Sequence, residues 1–194
     1  MCIYIVFFSF FTQPNMSDVP AYSLGQIAQL LASGTAFEGM PRDQALRIVE
    51  VMSLREYTEG ENLTQEGHAN QGQLMLVISG EAKITSRLVN DIDTVVYRRA
   101  KPGHLVGEVG FIDKQPHSAT CTALTTMHVA ALERDHLSML LEHQPLAAAQ
   151  LMAGLLKIMA QRVRHANMTM QTLSIVHQGL QQEIAKLRKS TDSS

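Results

Sequence analysis

The chain has 194 residues, 45% hydrophobic and 18% charged, so it can bury a core and is not a disordered polyelectrolyte. Sixteen Lys and Arg against eighteen Asp and Glu leave a formal charge of −2, which argues against a protein that coats nucleic acid. Its two cysteines, Cys2 and Cys121, exclude a disulfide scaffold and a four-cysteine zinc site.

Met1 to Phe11 reads MCIYIVFFSFF, an almost unbroken apolar run. It is shorter than the roughly 20 residues of a bilayer span. It also lacks the positive flank and small-residue cleavage site of a signal peptide. Residues 1–23 are therefore expected to be a disordered extension outside the fold. The plain reading is translation from Met16, or an unstructured leader; the sharper one is a membrane-touching or partner-docking tail. No other segment reads as membrane-spanning.

From Leu24 to Met52 the spacing predicts helices. Leu24, Ile27, Ala28, Leu31 and Ala32 fall on one helix face. Pro41 suits the first turn of a second helix, whose apolar face is Ala45, Leu46, Ile48, Val49 and Met52. From Leu54 to Leu132 the pattern changes to short apolar runs divided by glycine-bearing turns. The runs are Leu74–Ser79, Ala82–Arg87, Thr94–Arg99, Ala119–Leu124 and Met127–Leu132. This density of short strands predicts a jelly-roll-like β-roll. Ser79-Gly80-Glu81 reads as a tight hairpin turn.

Glu133 begins a second helical region, interrupted at Pro145, which resists a helix interior but fits a new first turn. A long helix is expected from Leu146 to about Leu187. Met152, Leu156, Met159, Val163, Ala166, Met170, Leu173, His177, Leu180, Ile184 and Leu187 follow by alternating steps of four and three. That is a heptad seam, with Leu156, Val163, Met170, His177 and Ile184 at a and Met159, Ala166, Leu173, Leu180 and Leu187 at d. The seam predicts a parallel homodimer through residues 152–187, with Glu183 facing Arg188 of the partner helix. A long amphipathic helix packed on its own domain is the alternative. His177 breaks the seam, as a polar register-fixing residue or as a pH sensor. The tail KSTDSS has no core-forming content, and residues 189–194 are expected to fray.

The stretch most informative about function is Pro102 to Thr125, PGHLVGEVGFIDKQPHSATCTALT. Gly107-Glu108 leads into a short VGFI turn, and His117-Ser118-Ala119-Thr120 enters the next strand. This resembles the phosphate-binding cassette of cyclic nucleotide-binding domains, the effector domain of the catabolite activator protein and of cyclic-nucleotide-regulated kinases and channels. Gly60-Glu61, Ile78-Ser79-Gly80 and Pro102-Gly103 extend the resemblance over about residues 37–167.

The resemblance implies roles residue by residue. Free backbone N–H groups near Val109, Gly110 and Phe111 would point at a cyclic phosphate. Gly107 would permit close backbone approach, and Glu108 would accept a hydrogen bond from the ribose 2′-hydroxyl. Ser118 and the Ala119 N–H would add phosphate donors. The long helix would close over the base, with Ala166 and Asn167 near the base-reading positions. Read without the resemblance, Glu108 is a helix-start carboxylate, Gly107 and Gly110 are turn glycines, and Asn167 is a solvated e position.

One residue departs from the family pattern. Its arginine, in a Pro-Arg-x-Ala-Thr run, is replaced here by His117. Histidine carries its charge only part of the time near neutral pH, and lacks the guanidinium fork. A hydrogen bond to a charged group is worth about 1.5–3 kcal/mol, so the change predicts roughly ten- to a hundredfold weaker binding. Weak binding of a cyclic mononucleotide, binding of another ligand, and an unliganded structural domain remain as the three readings.

Two other classes fit less well. DNA reading, as by the catabolite activator protein, needs a helix-turn-helix after the long helix; too few residues follow Leu187, and the Lys and Arg are dispersed. A metal enzyme on a related barrel needs clustered histidines, and none of the eight stands at H-x-H or H-E-x-x-H spacing. Cys121, on a strand between two threonines, reads as a buried small hydrophobe.

The sequence therefore predicts an α+β protein: an antiparallel β-roll flanked by N-terminal helices and a long C-terminal dimerisation helix. Its expected units are residues 24–145 for the roll and its flanking helices and 146–188 for the coiled-coil helix. The expected function is a cytoplasmic, non-enzymatic sensor without cofactor. Its ligand would be cyclic AMP or another cyclic nucleotide, and it would pass its signal to a protein partner without binding DNA.

Overall fold

The computed structural model describes residues 22–69, 72–86 and 98–191. The expectations for residues 1–21, for Arg87 and residues 94–97 of the predicted strands, and for 192–194 lie outside that range.

Helix α1 (Leu24–Ser33) opens with a capping box. Ser23 Oγ accepts from the Gln26 N–H at 3.3 Å, and the Gln26 side chain accepts from the Ser23 N–H at 2.9 Å. A 3-10 turn (Thr35–Phe37) then sets Phe37 into the core. Helix α2 (Arg42–Val49) follows, with Pro41 one position ahead of its first turn. Its buried face is Ala45, Ile48 and Val49.

Among the described residues, eight strands form two antiparallel four-stranded sheets. They are β1 (Ser53–Tyr57), β2 (Asn62–Thr64), β3 (Gln73–Ser79), β4 (Ala82–Thr85), β5 (Arg98–Ala100), β6 (Leu105–Val106), β7 (Thr120–Ala123) and β8 (Met127–Glu133). One sheet has the order β1-β8-β3-β6, the other β2-β7-β4-β5. The sheet containing β3 and β8 lies between two cores, and this explains its composition. Leu74, Leu76, Ile78, Ala130 and Leu132 pack toward the helices. Met75, Val77, Met127, Val129 and Ala131 pack toward the other sheet. Strands covered on both faces read as continuous apolar runs, not as alternation.

The expected hairpin at Ser79-Gly80-Glu81 is a crossover. Strand β3 pairs with β8 and β6, whereas β4 pairs with β7 and β5. Gly80 turns the chain between sheets at φ 82°. A Cβ there would lie 2.5 Å from the Thr126 carbonyl oxygen. The chain passes too close to its neighbour for any side chain, which is a different use of glycine from a hairpin tip.

Helix α3 (Glu108–Asp113) sits between β6 and β7, and α4 (Arg134–His143) follows β8. Helix α5 (Pro145–Thr191) is 47 residues long and starts on Pro145. Residues 189–191 continue the helix where fraying was expected; no Pro or Gly interrupts them. Packing does not divide the chain at 145/146, because Ala147, Ala148, Leu151 and Leu155 belong to the helix-side core. Met152 also packs on that core, so the first residue of the predicted dimer seam is used within the chain. Further along, Met159 is half-buried, whereas Leu156, Val163, Met170, Leu173, Leu180 and Ile184 of the seam are each at least half exposed. Glu183 pairs with Lys186 of its own helix at 2.9 Å, while the side chain of Arg188 lies outside the described set. Among the described residues, no helix is long and apolar enough to cross a membrane.

At Gly154 the α5 backbone packs directly on Phe37. A Cβ at this position would fall within the Phe37 ring. Gly154→Ala should therefore cost about 1–3 kcal/mol through overpacking, read as a lower urea midpoint at unchanged slope. Combined with Phe37→Ala, the loss should be smaller than the sum of the two single changes.

Candidate ligand-binding site

Gly107 to Gly110 and His117 to Ala119 line one cavity, although His117 follows Gly107 by ten residues. Two local features bring them together. Gly107 is the N-cap of α3 at φ 85°, and a Cβ there would lie 2.6 Å from the Gln73 carbonyl oxygen. Only glycine meets both demands. On the other side, His117 is held to the loop after β2 by two backbone bonds. Its carbonyl accepts from the Gly67 N–H at 2.9 Å, and its N–H donates to the His68 carbonyl at 3.1 Å. Thr64 Oγ1 donates to the Ala119 carbonyl at 3.1 Å. Arg134, the first residue of α4, donates to the Gly110 and Phe111 carbonyls at 3.0 and 2.9 Å, joining α3 to α4.

The electrostatics centre on Glu108, which is 1% exposed. A carboxylate so far from water needs a partner. It has one in Arg162 of α5, whose Nη2 meets Glu108 Oε1. Burial lowers the Arg162 pKa; the Glu108 charge opposes this, and the charge of Arg98 adds to it. Burial, with His68 second, holds the His117 imidazole below the ordinary histidine value. Burial, with Glu108 second, pushes the Cys121 thiol up to about 12. Cys121 is thus a packed neutral group and not a nucleophile. The cavity measures about 40 Å³, room for about three waters. A cleft of about 270 Å³, lined in part by Arg55, Tyr57, Asn62, His68 and Gln73, adjoins it across Thr64 and His117. Among the described residues, no group of three or more His, Cys, Asp or Glu could hold a metal ion.

Comparison with known proteins addresses the same stretch. Residues 54–144 match the model of the cyclic nucleotide-binding domain. This chain carries a domain of that family. The chain is also 26% identical over 138 residues to a cyclic AMP receptor protein of Thermus thermophilus, covering 71% of this chain and 61% of the relative. The chain thus spans less than two thirds of the length of that relative. Among solved structures, a cyclic nucleotide-binding domain from Methylobacillus flagellatus superposes with a TM-score of 0.66. It is 23% identical, over 73% of this chain and 79% of that one, and speaks for the fold alone. The Thermus thermophilus catabolite activator protein superposes with a TM-score of 0.61 at 26% identity, over 72% of this chain and 62% of that one.

The cyclic nucleotide-binding domain places most of the expected site residues together, and three points differ from expectation. The Phe111 N–H is not free; it donates to the Gly107 carbonyl at 3.0 Å. The unbonded amides of the first turn are those before Phe111. Asn167 is exposed and does not line the cavity. It lies five residues beyond Arg162, about 140° around the helix, and so on another face. Arg162 itself was missed, with Thr64, Ile84 and Val106 of the lining. A signal for Arg162 exists in the sequence. Leu151, Leu155 and Ile158 form a stripe that packs on the domain, and Arg162 is its next position.

The depressed His117 value has a signed consequence. The unfolded chain takes up this proton more readily than the folded one. The resulting stability is present above the ordinary histidine value of 6.5 and is lost as pH falls through the lower folded value. Urea midpoints should therefore fall from about pH 8 to about pH 5, and less steeply in His117→Gln. An unchanged pH slope in that variant would contradict the assignment.

Proposed function

We propose that the chain is a non-enzymatic, cytoplasmic regulatory module that binds a cyclic nucleotide, cyclic AMP or a close relative, at Gly107 to Ala119. The observation that carries this reading is the convergence of Gly107-Glu108 and His117-Ser118-Ala119 on one cavity within the matched domain. Glu108 would accept from a ribose hydroxyl. The N–H groups of Val109, Gly110 and Ala119 and the Ser118 hydroxyl would serve the phosphate. The name of the Thermus thermophilus relative supports cyclic AMP as the first ligand to test.

The output would leave through α5. Its exposed seam supports a parallel homodimer, and Arg134 and the break at Pro145 offer a route from cassette to helix. Ligand would shift the population of helix positions in proportion to its differential affinity for them. The signal would then pass to a protein partner. A second reading, a ligand-free dimeric interaction module, is favoured by the small volume of the cavity, about 40 Å³. Ligand pockets commonly measure about 300–1,000 Å³.

Titration calorimetry with cyclic AMP, cyclic GMP and cyclic di-GMP separates the two. Saturable binding of a mononucleotide is expected, tighter at about pH 6 than at about pH 8, because an adjacent phosphate favours protonated His117. Glu108→Ala should abolish it. Absence of heat from a folded chain would favour the ligand-free module. Sedimentation provides the matching test of assembly: a dimer is expected, reduced to monomer by Leu173→Asp with Leu180→Asp.

A further inference from the structure

From Leu156 to Leu187 every a and d residue of the α5 seam is apolar except His177. It stands between Leu173 and Leu180, which are 62% and 59% exposed in the single chain. The ring already has a partner one turn on. Gln181 sets its amide Nε2 2.8 Å from His177 Nε2. An amide nitrogen only donates, so in this arrangement the imidazole nitrogen accepts, which a neutral ring alone can do.

The surroundings hold no counter-charge. From His165 to Gln182 there is no Asp, Glu, Lys or Arg, a stretch of about five turns. The nearest titratable groups on the same helix are His165 before the ring and Glu183 after it, and Glu183 pairs with Lys186 at 2.9 Å. Residues 163–184 are exposed throughout, so no other described element faces the ring. This stretch has no charge with which to select a charged partner. What it offers is apolar spacing sustained over about four heptads, a length at which a seam joins helices. A second copy of the chain has the matching spacing. In a parallel pair in register, His177 meets the partner's His177.

We propose that the two His177 rings of an α5 dimer form a proton-sensing site that separates the dimer in acid. Neutral, the rings pack side by side in the seam, each bonded to the Gln181 of its own helix. Protonation sets two like charges against each other in a partly dry interface, with no carboxylate between them. It also turns the Nε2 acceptor into a donor that faces a donor. Separated helices leave both rings in water, where they take up protons freely. Assembly is therefore favoured above the ordinary histidine range and is lost as pH falls through it. Acid would then uncouple the output of α5 whatever the ligand. This inference rests on the dimeric reading of α5 and not on the identity of the ligand.

The test is the dimer dissociation constant of the full chain, by analytical ultracentrifugation at about pH 8 and at about pH 5.5, one unit below the ordinary histidine value. Each separated copy gains up to about tenfold from its proton at the lower pH, so the constant should rise about ten- to a hundredfold. His177→Asn keeps a polar residue at this a position but takes no proton. Its constant should change little between the two pH values. His177→Lys carries its charge at both and should already be weak at the higher one. Equal constants for the unaltered chain at both pH values would overturn the inference. The same pH response in His177→Asn would place the titrating group elsewhere and overturn it too. A monomer at the higher pH would end the dimeric reading of α5, and the inference with it.

Discussion

Glu108 stands at the start of α3 with almost no access to water, and burying a carboxylate in that way is tolerable only with a cation against it. The cation is Arg162, and it arrives on the long helix. This one contact ties α5 to the cassette at one wall of the cavity. The fields of Glu108 and Arg98 act on Arg162, and that of Glu108 acts on Cys121. Removing either partner would leave a charge stranded, so the two segments are locked by an electrostatic requirement and not by shape alone.

Shape fixes the other end of the same helix segment. Phe37 fills the space that a side chain at Gly154 would need, and Leu151 and Leu155 complete the packing. Eight residues separate Gly154 from Arg162, about 12 Å along the axis. The apolar anchor lies in the helix-side core, whereas the ionic one lies in the cavity. A ligand competing for Glu108 and Arg162 would therefore act on the outer anchor and leave the inner one as a pivot. Beyond Arg162 the helix presents its apolar seam to solvent, and small rotations there become large displacements at its far end.

The sequence was most legible where one constraint acted alone. The long helix, its break at Pro145 and the paired-core strands Leu74–Ser79 and Met127–Leu132 all follow from apolar spacing and proline chemistry. The cassette was legible because its glycine and carboxylate positions depend on local backbone geometry. Gly80 misled, since a turn glycine and a crossover glycine look alike until the neighbouring Thr126 is in place. The short strands β1 and β2 were not singled out, because three- to five-residue pairings depend on partners distant in sequence. Asn167 was singled out by the family resemblance alone. Helix periodicity, with Leu151, Leu155 and Ile158 committed to the domain, points to Arg162 instead.

The proposed ligand site and the long helix thus meet at one ion pair. Amide hydrogen exchange of the full chain, with and without saturating cyclic AMP, tests this most directly. Slower exchange is expected at Val109 and Gly110 together with a change in α5 around Arg162, while the segment about Gly154 stays as it was. Protection confined to the cassette, with α5 unaltered, would contradict a shared ion pair.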